Sequence, residues 1–284
     1  MKKSGILASV FLLLGLVGIG ALHGGCAAES SSKIKVVTST SLMEYIVKQV
    51  GGDRVDVVNL VPPNQHPGNF DAKPGDIQNL SDANLFLLHG WPGEGYADKL
   101  ISSANNPGLT VVKVKVDGNW MIPSVQMTAT DKVMSVLSEV DEKNAPEYQK
   151  SAETYKKKIQ ATETDIKDRL ARVDVSTVKV IASIWQADFL QWAGFDVVAT
   201  FTSSQALTPQ TVKDLIDEGR ASGVSLVINN LQDGQDAGKA IAQELGAQNL
   251  NLSNFPGGFD NTETWEKAID HNVDIILNSL TQTK

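Results

Sequence analysis

Residues 144–172 contain no glycine and one early proline, Pro146, and their apolar members recur at mostly three- and four-residue steps: Tyr148, Ala152, Tyr155, Ile159, Ile166 and Leu170. That spacing predicts a single amphipathic helix. About 29 residues at about 1.5 Å each give it a length of roughly 43 Å, enough to run along a two-lobed molecule. On the outer face, Lys150, Lys156, Lys157, Lys158, Lys167 and Arg169 read as a solvated surface. Four strand-like runs precede the helix, at Ile34–Thr38, Val55–Val61, Asn84–Leu88 and Thr110–Val116. Four more follow, at Val178–Ala182, Phe195–Phe201, Val224–Ile228 and Gln248–Leu252. Strands separated by helical patterns imply βαβ units. The expected fold is therefore α/β: two similar lobes with mostly parallel four-stranded sheets, residues 34–143 and 173–284, joined by one long α-helix.

Composition removes several function classes. The chain has 284 residues, a net charge of −8, one cysteine and four histidines. A single cysteine makes no internal disulfide and no paired-thiolate metal site. An acidic chain without a clustered Lys/Arg tract is a poor partner for nucleic acid, which is bound by exchanging positive charge for counterions.

The first 25 residues read as a signal peptide. Lys2 and Lys3 are followed by an apolar run from Ile6 to Leu22, then His23-Gly24-Gly25-Cys26. The cysteine stands where a bacterial lipoprotein precursor is cleaved and acylated, although His23 occupies the position where such precursors usually have Leu. An uncleaved N-terminal anchor is the alternative. In both cases the domain works outside the cytoplasmic membrane, in the periplasm or at the cell surface, with residues 26–33 as a tether.

Ligands of open α/β sheets sit beyond the carboxyl ends of the strands, so the loops there should line an inter-lobe cleft. After the second strand the chain reads Val61-Pro-Pro-Asn-Gln-His66-Pro-Gly-Asn-Phe70-Asp71, and after the third, His89-Gly-Trp91-Pro-Gly-Glu94. These segments, Asp141–Tyr148 at the helix entry, Ala237–Gly246 and Thr264–Leu280 resemble the zinc- and manganese-type substrate-binding lipoproteins of ABC importers. The resemblance extends over nearly all the chain beyond the tether. It implies a metal-ion receptor, a membrane permease as partner, Zn or Mn as cargo, a monomer and no catalysis. It also implies four ligands, of which this chain keeps one, His66. Gly118-Asn119-Trp120-Met121-Ile122-Pro123 lacks the second His, Ser183-Ile184-Trp185-Gln186 stands in place of the third ligand, and Leu252-Ser253-Asn254 in place of a final Asp.

One imidazole holds a trace ion poorly. Asp71 and His89 are the nearest candidates to assist His66. Trp91, Trp120 and Trp185 each follow a strand and, with Phe70 and Ser253, supply an aromatic and neutral site suited to an organic ligand or a chelated metal. Packing is the competing role for these tryptophans, and Trp192 and Trp265 read as core. No G-x-S-x-G, phosphate-loop or H-E-x-x-H pattern is present, so the expectation is no enzyme activity. Three readings stay open: a receptor for an organic or chelated cargo, a Zn/Mn receptor with an atypical site, and an adhesin that kept the scaffold.

Overall fold

The computed structural model describes residues 33–202, 207–234 and 236–281. The signal peptide and Cys26 lie outside these residues. Along the first lobe run β1 (Ile34–Thr38), α1 (Ser41–Gly51), β2 (Val55–Asn59), α2 (Pro74–Ser81), β3 (Leu85–Leu88), α3 (Ala97–Ala104), β4 (Thr110–Lys113) and α4 (Pro123–Val140). The linking helix is α5 (Ala145–Leu170). The second lobe follows with β5 (Lys179–Ser183), α6 (Ile184–Trp192), β6 (Asp196–Phe201), α7 (Pro209–Ser222), β7 (Leu226–Asn230), α8 (Lys239–Leu245), β8 (Gln248–Leu252) and α9 (Trp265–Thr281).

Each lobe holds a four-stranded sheet with the same connectivity, β2-β1-β3-β4 and β6-β5-β7-β8, and every pair is parallel. Parallel sheets are covered on both faces, and the central strands β1, β3, β5 and β7 obey this, while the edge strands stay partly exposed. In the first sheet Val36, Leu85 and Leu87 point into the central core, while Val37, Phe86 and Leu88 pack with Leu80 and Leu100 on the other face. In the second, Val180, Ala182, Leu226 and Ile228 join the central core, and Ile181 and Val227 face α7 and α8. One core therefore contains residues of both lobes, threaded by the helix stripe Tyr148, Ala152, Tyr155, Ile159, Ile166 and Leu170.

The linking helix has 26 residues, three fewer than the spacing predicts. Its start is displaced to Ala145 because Asp141 gathers the chain there. One carboxylate oxygen accepts from Asn144 Nδ2 and from the Tyr148 hydroxyl, both at 2.6 Å. The basic outer face is not uniformly solvated either: Lys156 reaches Asp131 on α4 at 2.7 Å, and Arg169 bridges to Asp270 and Asp274 on α9.

Hydrogen bonds between segments far apart in sequence fasten the two lobes together. Ser41 Oγ donates to Pro256 O (2.7 Å), Gln232 Nε2 to Pro63 O (2.7 Å), Trp265 Nε1 to Trp120 O (2.9 Å) and the Tyr45 hydroxyl to Glu266 (2.7 Å).

Candidate functional site

The carboxyl ends of the strands open onto a cleft of about 820 Å³, lined by His66, His89, Trp91, Asn119, Trp120, Trp185, Asn230, Gln232, Asn254 and Phe255, with Lys115, Asp117 and Asp188 also in its wall. Both sheets reverse their strand order at their central pair, β1/β3 and β5/β7, where an open α/β sheet leaves a crevice. Thr40 and His89 come from the first of these points, Ser183 and Asn230 from the second.

His89 is 1% exposed. Its ring stacks on Trp91 (centroids 3.7 Å, 10°) and meets the edge of Trp120 at 4.3 Å. Nε2 lies 2.7 Å from Thr40 Oγ1, and buried Nδ1 has no hydrogen-bond partner. Thr40 occupies the N-cap of α1, yet its hydroxyl caps nothing because it is turned to the histidine. An N-cap hydroxyl is worth on the order of 1 kcal/mol, so this local rule yields to the imidazole contact. Burial pushes the imidazole down to about 3, and the ring is neutral across the physiological range.

The segment carrying Trp91 is held by Glu94, whose carboxylate accepts three backbone N–H groups, from His89 (2.9 Å), Gly90 (2.6 Å) and Trp91 (3.1 Å). Glu94 is 7% exposed, and its role is to pin this turn.

His66 caps the short 3₁₀ turn Pro67–Asn69, with Nδ1 accepting from Gly68 N–H at 3.0 Å. This fixes the tautomer: Nδ1 supplies the lone pair, so in the neutral ring the proton sits on Nε2. Nε2 faces Asp233 Oδ1 at 3.9 Å, and the other carboxylate oxygen accepts from Asn230 Nδ2 at 3.0 Å. A nitrogen that carries a proton has no lone pair for a metal. To ligate through Nε2, His66 must first give up its bond to Gly68.

Where further ligands would stand, neutral amides are tied to one another. Asn119 Nδ2 donates to Trp185 O (2.8 Å) and Asn254 Oδ1 (3.0 Å), Asn254 Nδ2 to Trp185 O (3.0 Å), and Gln186 Nε2 to Asn230 Oδ1 (3.0 Å) and Asn254 Oδ1 (3.1 Å). This network links the first lobe to the second. Among the described residues, no three His, Cys, Asp or Glu side chains converge as a metal site.

The structure brings His66, His89, Trp91, Trp120 and Trp185 to the cleft and leaves Phe70, Asp71 and Ser253 out of its lining. Phe70 packs edge-on against Tyr96 at 4.8 Å, beside the outer core of the first lobe. Asp71 is exposed. Ser253 is 1% exposed, its Oγ donating to Phe255 O and accepting from Gln232 Nε2, each at 2.9 Å, and from Phe255 N–H at 3.1 Å. Trp265 is core, fully buried, and Trp192 is partly buried against it. His271 packs on Phe259 at 4.9 Å, away from the cleft lining.

Sequence reading passed over Asp233 and Gln232, which follow β7, and the wall carboxylates Asp117 and Asp188. The rule that loops after strands line the cleft extends to the loop after β7 as well. What it lacked was a motif to single out Asn230-Leu231-Gln232-Asp233.

Comparison with known proteins follows the same outline. The profile of a family described as zinc-uptake complex component A, periplasmic (ZnuA), matches residues 36–279. The iron-binding protein YfeA of Yersinia pestis is 23% identical over 301 residues, covering 99% of this chain and 97% of that protein. The manganese-binding lipoprotein MntA of Halalkalibacterium halodurans is 24% identical over 293 residues, covering 93% and 96%. Among solved structures, the substrate-binding protein FpvC of Pseudomonas aeruginosa in complex with Ni²⁺ superposes with a TM-score of 0.74 at 21% identity, covering 89% of this chain and 98% of that one. A Mn-bound periplasmic metal-binding protein from Candidatus Liberibacter asiaticus gives 0.75 at 19% identity, covering 87% and 100%.

Proposed function

The chain belongs to the family of periplasmic zinc-uptake complex component A proteins, which are substrate-binding proteins of ABC importers and not enzymes, and from that premise we propose that it receives a cargo larger than a bare ion. That cargo is an organic molecule or a metal already held by a chelator, taken up outside the cytoplasmic membrane and passed to an ABC permease. Acylation of Cys26 would tether the receptor there, and residues 34–143, 144–172 and 173–284 would serve as lobe, linker and lobe.

The observation that carries this reading is the state of His66. Its Nδ1 accepts from Gly68 N–H, which places the neutral ring's proton on Nε2, opposite Asp233. A scavenging zinc site needs three or four lone-pair donors about 2.0–2.3 Å from the metal. His66 has one carboxylate nearby, Asp233 at 3.9 Å, and among the described residues no third His, Cys, Asp or Glu joins them. A cleft of about 820 Å³ is also far larger than an enclosed ion requires and falls in the range of small-molecule pockets.

The names of relatives favour a second reading. Proteins described as iron- and manganese-binding cover almost the whole chain, so a bare-ion receptor using His66 and Asp233 with water is the competitor.

Competition against a fluorescent chelator separates the two. The account expects Zn²⁺ and Mn²⁺ to bind weakly, with His66→Ala changing that affinity by less than about threefold. Tight stoichiometric binding abolished by His66→Ala would establish the competitor.

A further inference from the structure

We infer that the cleft selects a cargo with positive charge on a flat, carbon-rich body, an organic cation or a cationic metal chelate, held by tryptophan faces and the carboxylates of Asp117 and Asp188. The inference rests on the receptor reading above and narrows its substrate class.

Asp117 follows β4 in the first lobe and Asp188 lies on α6 in the second, so each lobe contributes a carboxylate to the lining. Both are exposed, and neither makes a side-chain hydrogen bond or ion pair among the described residues. Among the described residues, Lys115 is the only Lys or Arg in the lining. Neither histidine offsets the carboxylates, because His89 is buried and neutral and His66 already faces Asp233. Among the described lining residues, two carboxylates stand against one lysine, so the wall is net negative.

Shape and chemistry supply the rest. Trp185 is 48% exposed on the first turn of α6, beside the His66 ring (centroids 5.9 Å), and turns part of its indole to the cleft. Trp91 is half-buried on the opposite lobe and held in place by the Glu94 clamp. Indole faces attract cations and stack on planar groups. At the base of the cleft, buried His89 Nδ1 has no partner, and a buried polar atom of that kind calls for an explanation. When Nε2–H donates to Thr40, Nδ1 keeps a lone pair beneath the Trp91 and Trp120 rings, one layer below the surface that a cargo would meet.

The test compares shape-matched probes by tryptophan fluorescence and calorimetry in neutral buffer of low ionic strength. The purified protein is titrated with N-methylquinolinium, with its uncharged isostere quinoline, with the cationic Ni²⁺–phenanthroline complex and with free Ni²⁺. Expected is a preference of about tenfold or more for N-methylquinolinium over quinoline. The double variant Asp117→Asn/Asp188→Asn should erase that preference without moving the thermal midpoint, since both residues are exposed. Trp185→Ala should weaken both ring probes together. Tighter binding of the complex than of N-methylquinolinium supports the inference with a chelate as source, and the reverse order supports it with an organic cation. Equal affinity for charged and neutral isosteres, a preference that survives the double variant, free Ni²⁺ binding as tightly as its complex, or no saturable response to any probe overturns it. Recovery of a neutral or anionic organic molecule with the purified protein would end this inference and leave the receptor reading intact, whereas one equivalent of bare metal would end both.

Discussion

His66 and His89 lie on the same cleft, and each has one ring nitrogen already engaged. In His66 the engaged nitrogen accepts from Gly68 N–H, which leaves the neutral ring's proton on the outward nitrogen, 3.9 Å from Asp233 Oδ1. In His89 the engaged nitrogen meets Thr40, and the other is buried without a partner. Burial lowers His89 from 6.5 to about 3, so between those values the unfolded chain binds a proton that the folded one does not. Stability therefore rises with pH across this window and is lost as pH falls through it, with a slope of up to about 1.4 kcal/mol per pH unit from this residue. Carboxylates add their own acid sensitivity, so the readout is a difference. His89→Gln should flatten the acid limb of the thermal midpoint relative to the parent chain, and parallel limbs would show that the imidazole is not the buried neutral group described here. The position of His66 in the cleft was readable from the order of strands and from the resemblance. Its tautomer was not, because that depends on a backbone N–H two residues on, placed by a turn no motif announces.

At the scale of elements, the central strands β1, β3, β5 and β7 were legible because both faces of a parallel sheet are buried there, which leaves dense apolar runs, whereas the partly exposed edge strands β2, β4, β6 and β8 mix in polar residues and were legible from their place between helical patterns. The α5 stripe was legible for the analogous reason at helical spacing. Contacts made by loops were less so. Phe70 sits four residues after His66, yet it turns away to Tyr96. Asn119 and Asn254 meet although 135 residues separate them. Neutral amides carry no signature in sequence, and only the fold brings them together. The Trp91 turn gives this level its test. Glu94→Gln keeps the size and removes the charge from three hydrogen bonds with backbone N–H groups, and charge-assisted bonds are the stronger kind. The expected cost is about 1.5–3 kcal/mol in urea unfolding, with faster amide exchange at His89, Gly90 and Trp91. Unchanged exchange there would mean the turn holds itself without the carboxylate.

For the whole molecule, the continuous core and the bonds between lobes leave little room for hinge motion. Trp265 Nε1 donates to Trp120 O within that core, and both rings are almost fully buried. Trp265→Phe strands a buried carbonyl oxygen and should cost about 1–3 kcal/mol, measured by denaturant unfolding. A loss near zero would indicate that water or a neighbouring group replaces the donor. The same architecture predicts that cargo changes the small-angle scattering profile very little, and a clear contraction on binding would contradict the stapled cleft. The central claim concerns what that cleft holds, and native mass spectrometry of protein purified without chelator, with metal analysis of the same sample, addresses it most directly. The account predicts a bound organic mass, alone or with a metal in the same adduct. One equivalent of tightly held zinc or manganese without an organic partner would contradict it.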